Sequence, residues 1–399
     1  MNASLNEKLR TVKWGEYKLG TLFDIENTLS FNADKLVDGT EYDYVTRTST
    51  NQGILQTTGF VNEDNINSSG TWSLGLLSMD FFYRYKPWYA GQFIRKIIPK
   101  VSIPENTVPF FSTILNKQKP ILLSVLVRGV DEAFKNISVK LPQTAEGKID
   151  FDFMESFVAE LEAERVAELS AYLMVSGLDN YELSSDEKKA LKNYQSLKWN
   201  TYNLEKLFGK STRGKRLKGD DRISGTLPFV TAGEAAEGIS AYISNEVEVF
   251  EKNTTTIDMF GSAKYRNYKY GADDHVAVVH TEAVPMRASI FLTSAIHKAA
   301  HTGKFDYGHN FYAKDADALD IMLPTKDGKP DYDAMSTLIS AVQKLVIKDV
   351  VKYADEKTKA YHTATRHDEQ NTEYTFRIKS KPLMVADGDY TDKSGLVID

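Results

Sequence analysis

Cysteine is absent from this chain of 399 residues. Disulfides and thiolate metal sites are therefore excluded, and any chemistry must depend on other side chains. The sequence contains no run of 18 apolar residues, and Met1–Lys8 lacks the apolar segment of a signal peptide. These absences predict a cytoplasmic protein that has no contact with a membrane.

Motifs of enzymes that act on DNA are missing as well. The chain has no Asn-Pro-Pro-Tyr tetrapeptide of an amino-methyltransferase, no complete Walker loop and no convincing Pro-Asp…Asp/Glu-x-Lys nuclease core. Pro330-Asp331 is better explained as the start of a helix. We therefore expect no catalytic residue in this chain.

The stretch Gly209–Arg216 nearly spells a phosphate-binding P-loop. Arg216 stands where that motif requires a Ser or Thr to ligate magnesium. A basic loop able to follow a phosphate backbone explains these residues better. Nucleotide hydrolysis at this loop stays open as an alternative function.

Histidines offer little support for a metal site. His297 and His301 are one helical turn apart, but the chain has no His-Glu-x-x-His motif and only His309 as a third ligand nearby. Surface or core histidines are the better interpretation, and we predict no metal site. Asp273-Asp274-His275 lacks the third member of a triad, so we interpret it as a turn.

Charge is acidic overall but unevenly distributed. The formal net charge of −6 argues mildly against a nucleic-acid binder, because phosphate neutralisation supplies most sequence-independent affinity. However, seven basic residues and only two acidic ones lie between Lys206 and Arg222. Because binding depends on where positive charge is located, this segment is a candidate phosphate contact.

The clearest positive feature is a duplication. Trp14–Phe23 corresponds to Trp199–Phe208, which lies 185 residues later. Three further landmarks recur in the same order: Tyr44–Thr46 as Phe229–Thr231, Gly53-Ile54 as Gly238-Ile239, and Leu141–Lys148 as Leu323–Lys329. The chain is therefore a tandem duplication of a unit of about 185 residues, a period much longer than that of solenoid repeats.

Each copy reads as a mixed α/β domain followed by a long helix. Alternating apolar runs between turn signals predict strands at Tyr42–Thr46, Trp72–Met79, Phe93–Ile98 and Ile137–Leu141, with a further strand at Tyr374–Lys379. Helical spacing predicts helices at Phe110–Leu126, Asp152–Leu173, Asp186–Ser196 and Asp333–Tyr361. Asp150 or Asp152 would cap the second of these helices, and Gly177 would end it.

The last helix carries an apolar stripe that needs a partner surface. Its twin, Asp152–Leu173, is the obvious partner. The stripe consists of Met335, Leu338, Val342, Leu345, Val346, Val350 and Tyr353.

Two polar loops follow a strand at the same place in the two copies. Thr46–Asn51 contains Arg, Thr and Asn, side chains suited to donate to base edges in the major groove. Its counterpart, Thr231–Glu237, has different residues. A shared scaffold with different loops is what reading two short sequences requires, although plain divergence after duplication would also give this pattern. Two aromatic and basic clusters, Phe81–Lys86 and Lys264–Tyr270, are more typical of half-packed strands.

The repeated order Trp-x-x-Tyr-x-Leu-x-x-Leu-Phe, Tyr/Phe-Val-Thr…Gly-Ile, Leu-Pro…Gly-Lys…Asp and a long helix resembles the DNA-specificity subunit of type I restriction-modification systems. It is also similar to the related specificity subunit of type IIB enzymes. The resemblance covers residues 12–365. It implies an α+β fold in which two tandem-repeated mixed α/β target-recognition domains are separated by two long helices that form an antiparallel coiled coil.

The same resemblance implies the partners and the division of the chain. Each domain would read one half of a bipartite double-stranded DNA target. The helices would dock adenine-N6 methyltransferase subunits, which bind S-adenosylmethionine, and a restriction endonuclease subunit could join; this chain itself would bind no cofactor. The predicted segments are a leader (1–13), a first recognition domain (14–150), a central spacer helix region (151–197), a second recognition domain (198–330), a C-terminal spacer helix (331–365) and a polar tail (366–399).

Candidate DNA contacts are chosen by position. They are Arg47, Thr48 and Asn51 in the first domain, and Lys210, Arg213, Lys215, Arg216, Lys218, Lys264, Lys304 and Tyr307 in the second. The alternative from another class is a protein-interaction scaffold of tandem domains that does not bind DNA.

Overall fold

The computed structural model describes residues 3–369, apart from the side chains of residues 362 and 364–369. The chain divides into two compact units, Met1–Leu169 and Ser170–Asp399. The predicted strand Tyr374–Lys379 lies outside the described residues, and the predicted segment boundaries stay predictions. No helix within the described part is both long and apolar enough to cross a membrane.

The first half of the chain contains nine strands. They are β1 (Trp14–Lys18), β2 (Phe23–Asn27), β3 (Tyr42–Val45), β4 (Ile54–Thr58), β5 (Thr71–Gly75), β6 (Phe81–Arg84), β7 (Trp88–Ala90), β8 (Ile94–Pro99) and β9 (Ser138–Pro142). The helices are α1 (Ala3–Thr11), α2 (Leu19–Leu22), α3 (Val108–Asn116), α4 (Lys119–Leu123), α5 (Val130–Asn136) and α6 (Phe151–Val175).

The second half has matching elements. Its helices are α7 (Ser185–Asn193), α8 (Leu204–Phe208), α9 (Met286–Ala300), α10 (Ala313–Asp317) and α11 (Tyr332–Glu369). Its strands are β10 (Trp199–Asn203), β11 (Thr212–Arg213), β12 (Ser224–Val230), β13 (Ile239–Ile243), β14 (Val249–Phe250), β15 (Thr254–Asp258), β16 (Ala263–Arg266), β17 (Tyr270–Ala272), β18 (Val276–Val279), β19 (Asp320–Lys326) and β20 (Lys329–Pro330).

Sheet topology confirms the duplication. The first unit has sheets of order β2-β8-β5-β6, β4-β3-β7 and β1-β9, and the second has β11-β18-β15-β16, β13-β12-β17-β14 and β10-β19-β20. In each copy one pair is parallel, β3 with β7 and β12 with β17, among otherwise antiparallel pairs. The duplication therefore extends to strand order and strand direction.

Each unit has its own apolar core, and each long helix starts in it. The first core surrounds the buried side chains of Phe23, Trp72 and Phe134, and Met154 of α6 joins it. Met335 of α11 occupies the equivalent place in the second core. Asp150 Oδ1 accepts from the Phe153 N–H, and Asp331 Oδ1 accepts from the Ala334 N–H, so the same cap begins both helices.

The predicted end of the first long helix and one predicted turn are confirmed, and the prediction of a single helix from Phe110 to Leu126 is wrong. Gly177 ends the α6 segment with a φ of +63°, and residues 274–275 form the predicted turn. The leader contains a helix, α1. The segment predicted as one helix from Phe110 to Leu126 is divided into α3 and α4. Pro120 lies in the first turn of α4, where it lacks an N–H to continue the preceding helix.

Two further elements differ in length from prediction. β5 ends at Gly75 because the Met79 N–H donates to the Gly75 carbonyl in a tight turn. α11 continues to Glu369, beyond the predicted end at Tyr361.

The helix missed at the start has a counterpart in the second unit. α1 and α7 both precede the first strand of a unit and contact its long helix. Lys8 of α1 pairs with Glu160 of α6. Glu187 of α7 accepts from Ser340 Oγ at 2.7 Å and from Lys344 Nζ at 3.0 Å on α11. The duplicated unit therefore begins with this short helix rather than with the following strand.

Candidate nucleic-acid interface

The two predicted recognition loops have the same backbone geometry. In the first unit the Thr46 N–H donates to the Gly53 carbonyl at 2.7 Å, and in the second the Thr231 N–H donates to the Gly238 carbonyl at 2.8 Å. We call residues 46–53 and 231–238 the recognition loops. Two non-glycine residues with positive φ precede each glycine: Asn51 and Gln52 (47° and 52°), and Ala236 and Glu237 (46° and 55°). Since side chains rarely adopt this conformation, its occurrence in both loops indicates a shared constraint.

In the first loop the predicted side chains are accessible. Arg47 is exposed, and its guanidinium carbon lies 5.3 Å from the ring centre of Phe93. Thr48 is half-buried, with its hydroxyl 2.9 Å from that of Thr50. Asn51 is exposed, and its amide donates to the Ile54 carbonyl at 3.0 Å, which leaves its second N–H and its oxygen available. Arg47 therefore has the most freedom to reach a base edge.

An ionised carboxylate holds the base of this loop. Ser49 Oγ and Lys119 Nζ both donate to Asp80. Burial alone would raise the pKa of Asp80, but these hydrogen bonds outweigh it and lower the pKa below its usual value. The loop is therefore fixed at Ser49 while Arg47 stays accessible.

The second loop is held differently and exposes other groups. The Gly233 N–H donates to Asp258 Oδ2 at 3.3 Å, and Glu234 pairs with Lys264 at 3.2 Å. Lys264 also lies 3.7 Å from Asp258, and only 15 % of its side chain is exposed. Hydrogen bonds from Ser262 and Lys264 lower the pKa of Glu234, which favours its ionised form. These contacts account for Lys264 within the protein, and its contact with DNA stays a prediction.

Five exposed cations lie along an edge of the second unit. We call Lys210, Arg213, Lys215, Arg216 and Lys218 the basic edge; all five are exposed, and within residues 3–369 none is paired with a carboxylate. The predicted loop contains an edge strand, since β11 pairs with β18 on one side only. Strand β12 follows rather than the helix of a P-loop, so the segment lacks P-loop geometry.

A close backbone approach gives this edge its shape. The Lys215 N–H donates to the Ala272 carbonyl at 3.1 Å. At the neighbouring Gly214 a Cβ would lie 1.7 Å from the same carbonyl oxygen, so only glycine fits. Because the backbone is pressed against the sheet here, the long side chains on both sides of Gly214 extend into solvent.

The remaining predicted contacts lie after α9. Lys304 is exposed, and Tyr307 has 85 % of its surface exposed, with its ring edge-to-face on Phe260 at 5.2 Å. An exposed aromatic ring beside a cation is suited to a nucleic-acid surface.

The histidines of α9 do not form a metal site with any neighbour among the described residues. His297 Nδ1 accepts from the Ala263 N–H at 3.1 Å, so this nitrogen already has a partner within the protein. The described residues contain no group of three or more side chains arranged to hold a metal ion.

Arg84 and Arg266 are absent from the predicted contacts, because the clusters that contain them were interpreted as half-packed strands. They lie in the aromatic and basic clusters of β6 and β16 and are almost fully buried, at 1 % exposure each. Burial lowers the pKa of Arg84 to about 10, so it remains charged at neutral pH. The signal that could have identified them is their equivalent position in the two copies.

The structure defines a tandem-domain protein, with one α/β scaffold built twice and different loop residues on the same backbone frame. The sequence model of the family described as "Type I restriction modification DNA specificity domain" matches residues 11–171 and 196–374. The chain therefore belongs to this family of restriction-modification specificity proteins, and it carries two copies of the domain.

Individual relatives agree with this assignment. The chain is 24 % identical over 356 residues to the specificity subunit S.BcgI of the type II restriction enzyme of Heyndrickxia coagulans, covering 86 % of this chain and 99 % of the relative. Its fold is similar to that of the S subunit of the type I restriction-modification system from M. genitalium. That match has a TM-score of 0.53 and 14 % identity and covers 90 % of this chain and 95 % of the other.

Proposed function

We propose that this chain is the non-catalytic subunit that selects the DNA target of a restriction-modification complex. Each unit reads one half of a bipartite double-stranded target, through its recognition loop and the surface around it. The basic edge, with Lys304 and Tyr307, contacts the phosphate backbone and supplies sequence-independent affinity.

One observation carries this proposal. The two recognition loops have the same closing hydrogen bond and the same pair of positive φ values, yet their tips differ, with Arg47–Thr50 in one and Ala232–Ala235 in the other. Two half-sites of different sequence require different side chains, and here these are presented by loops with the same backbone conformation. Plain divergence would not by itself preserve a strained backbone pair in both copies.

The long helices supply the spacer in this proposal. α6 and α11 would pack antiparallel as a coiled coil and fix the length of the unread gap between the half-sites. Several apolar side chains of α11 are exposed, including Val342 at 45 %, Leu345 at 49 % and Val346 at 74 %. They lie at helical spacing on one stripe, which favours a protein partner over solvent.

The partners proposed for these helices are adenine-N6 methyltransferase subunits. S-adenosylmethionine would be bound by those subunits, and a restriction endonuclease subunit would be a further partner. Because the chain alone is acidic, we expect it to bind DNA weakly by itself and tightly only inside the complex.

The experiment is to express the chain with its cognate methyltransferase subunits and to map methylated adenines in the host DNA. A single bipartite motif with a gap of constant length is the expected result. Gel shifts with and without the methyltransferase would test the second part. Equal tight binding by the lone chain would contradict it, and methylation without any motif would refute the proposal as a whole.

A further inference from the structure

A buried arginine lies beneath the recognition loop of each unit. Arg84 Nη2 donates to the Gln52 carbonyl at 2.6 Å, and Arg266 Nη2 donates to the Glu237 carbonyl at 2.9 Å. Gln52 and Glu237 are the second residues of the two positive-φ pairs. Each guanidinium therefore binds the backbone at a non-glycine residue of its loop that has a positive φ.

The other side of each guanidinium is fixed in the same way. Arg84 Nε donates to Ser73 Oγ at 2.9 Å, and Arg266 Nε donates to Thr256 Oγ1 at 2.9 Å. Ser73 and Thr256 are the third residues of β5 and β15. A planar fork that binds a hydroxyl at one end and a carbonyl at the other has little freedom to rotate.

An aromatic ring completes both frames. The guanidinium carbon of Arg84 lies 5.9 Å from the ring centre of Trp88, and that of Arg266 lies 5.9 Å from the ring centre of Tyr270. Trp88 and Tyr270 are in turn hydrogen bonded to the hydroxyls of Thr71 and Thr254, respectively. The two copies therefore keep this arrangement although two of its four side chains differ, the strand hydroxyl residue and the aromatic residue.

Ion pairing does not explain the retention of these arginines. A buried cation loses its hydration, and in the described part of the chain neither guanidinium is within 4 Å of a carboxylate. What the guanidinium does make is hydrogen bonds, to the Gln52 carbonyl in one unit and to the Glu237 carbonyl in the other. Two copies that have diverged elsewhere nevertheless keep the arginine, and in both it binds a loop carbonyl.

We propose that Arg84 and Arg266 are positioning residues for sequence discrimination, each fixing the recognition loop of its own unit so that the loop tip meets the base edges in one orientation. This inference rests on the proposed function. Each arginine acts only on the half-site that its own unit reads, so a substitution is expected to affect one half-site and not the other.

The test uses the whole chain in complex with its methyltransferase subunits. Duplexes are selected from a randomised library, and base preference is measured at every position of both half-sites for the wild type, Arg84→Met and Arg266→Met. We expect Arg84→Met to reduce discrimination about tenfold in one half-site and Arg266→Met to do so in the other. Arg84→Lys keeps the charge but loses the fork, so an intermediate loss is expected.

A matched control separates positioning from stability. Arg95 of β8 in the first unit is bound to Asp131 at 2.9 Å, and its Nε donates to that carboxylate rather than to a loop carbonyl. Arg95→Met should lower the unfolding temperature while leaving both half-sites unchanged. A general loss of preference in both half-sites for Arg84→Met, or unchanged preference in both, would overturn the inference.

A second pair of variants alters the loops themselves and leaves the buried arginines in place. Gly53→Ala and Gly238→Ala place a Cβ at φ values of +77° and +79° and within 3.3 Å and 3.8 Å, respectively, of the arginine Nη2. If the methionine variants fail to fold, these variants should give the same half-selective loss, and equal loss in both half-sites would again count against the inference. Failure of the proposed function would be recognised separately, because the wild-type complex would then select no bipartite sequence.

Discussion

The edge strands β2 and β11 occupy the same place in the two units but have opposite electrostatic character. β2 pairs with β8 as β11 pairs with β18, and Asn27 and Arg213 are equivalent by register. The following positions of the first unit are Leu29, Ser30 and Asn32, where the second has three cations. The acidic Asp24 and Glu26 of β2 are already paired with Lys100 and Lys96, at 2.8 Å and 3.4 Å.

Two copies of one fold therefore need not contribute equally to binding. On the proposed function, the second unit supplies most of the phosphate contact, whereas the first depends more on its loop. It also explains how an acidic chain can bind DNA, since a net charge of −6 says nothing about one unpaired edge. Exchanging charge between the two edges tests whether this difference matters for binding.

The largest effect is expected from removing the basic edge. Lys215→Ala with Arg216→Ala and Lys218→Ala should lower DNA affinity of the complex about 100-fold at ~0.15 M salt, because three phosphate contacts are lost. The slope of log K against log salt should become shallower by about 2.7 for the same reason. Binding titrations at several salt concentrations measure both quantities.

The matched control removes equal charge elsewhere in the second unit. Lys252, Lys326 and Lys329 are exposed and lie outside the basic edge. Replacing all three by alanine should leave the salt slope close to that of the wild type. If both triple variants lose affinity equally, the binding reflects total charge and the assigned edge is wrong.

The reverse exchange tests whether the first unit can be given the same property. Leu29→Lys with Ser30→Arg and Asn32→Lys changes three exposed residues of the equivalent segment. We expect affinity to rise about tenfold at ~0.15 M salt, less than the loss above because the new side chains are not preoriented. A control with three glutamines at these positions should not increase affinity.

Much of the architecture could be predicted from sequence because it depends on local or repeated patterns. The duplication, both long helices and the Asp150 cap could be predicted because each depends on the spacing of residues along the chain. α1 was missed because it is short and polar, with Leu5 as its only buried residue. The roles of Arg84 and Lys264 could not be predicted, because they depend on groups about 30 residues away that strand register brings near: Gln52 for Arg84 and Glu234 for Lys264.

A smaller effect, on the pH dependence of stability, should distinguish the short helices α1 and α7. Glu187 is only 7 % exposed on its side chain. Burial alone would raise its pKa, but hydrogen bonds from Ser340, the Ser184 N–H and Lys344 outweigh burial and lower the pKa to about 2. Leu5 is the only buried residue of α1, so the first unit has no buried carboxylate there.

A lowered pKa in the folded state means that Glu187 stabilises the protein above its unfolded pKa of about 4.5, and that this contribution is lost as the pH falls towards 2. Glu187→Gln should lower the free energy of unfolding by about 1 kcal/mol at neutral pH. The difference from the wild type should shrink below pH 4. Hydrogen exchange in α7 and α1 measures it, and Glu182→Gln at an exposed site of the same segment is the control.

The smallest effect on DNA binding is expected from Lys264. Its ammonium lies against Glu234, Asp258 and Ser262, so it is already neutralised before any phosphate arrives. Lys264→Gln should therefore change the salt slope by less than about 0.3, whereas a single substitution in the basic edge, such as Lys218→Gln, should change it by about 0.9. If Lys264→Gln matches Lys218→Gln, the ion pairs must open on binding, and the second recognition loop would then rearrange when it meets DNA.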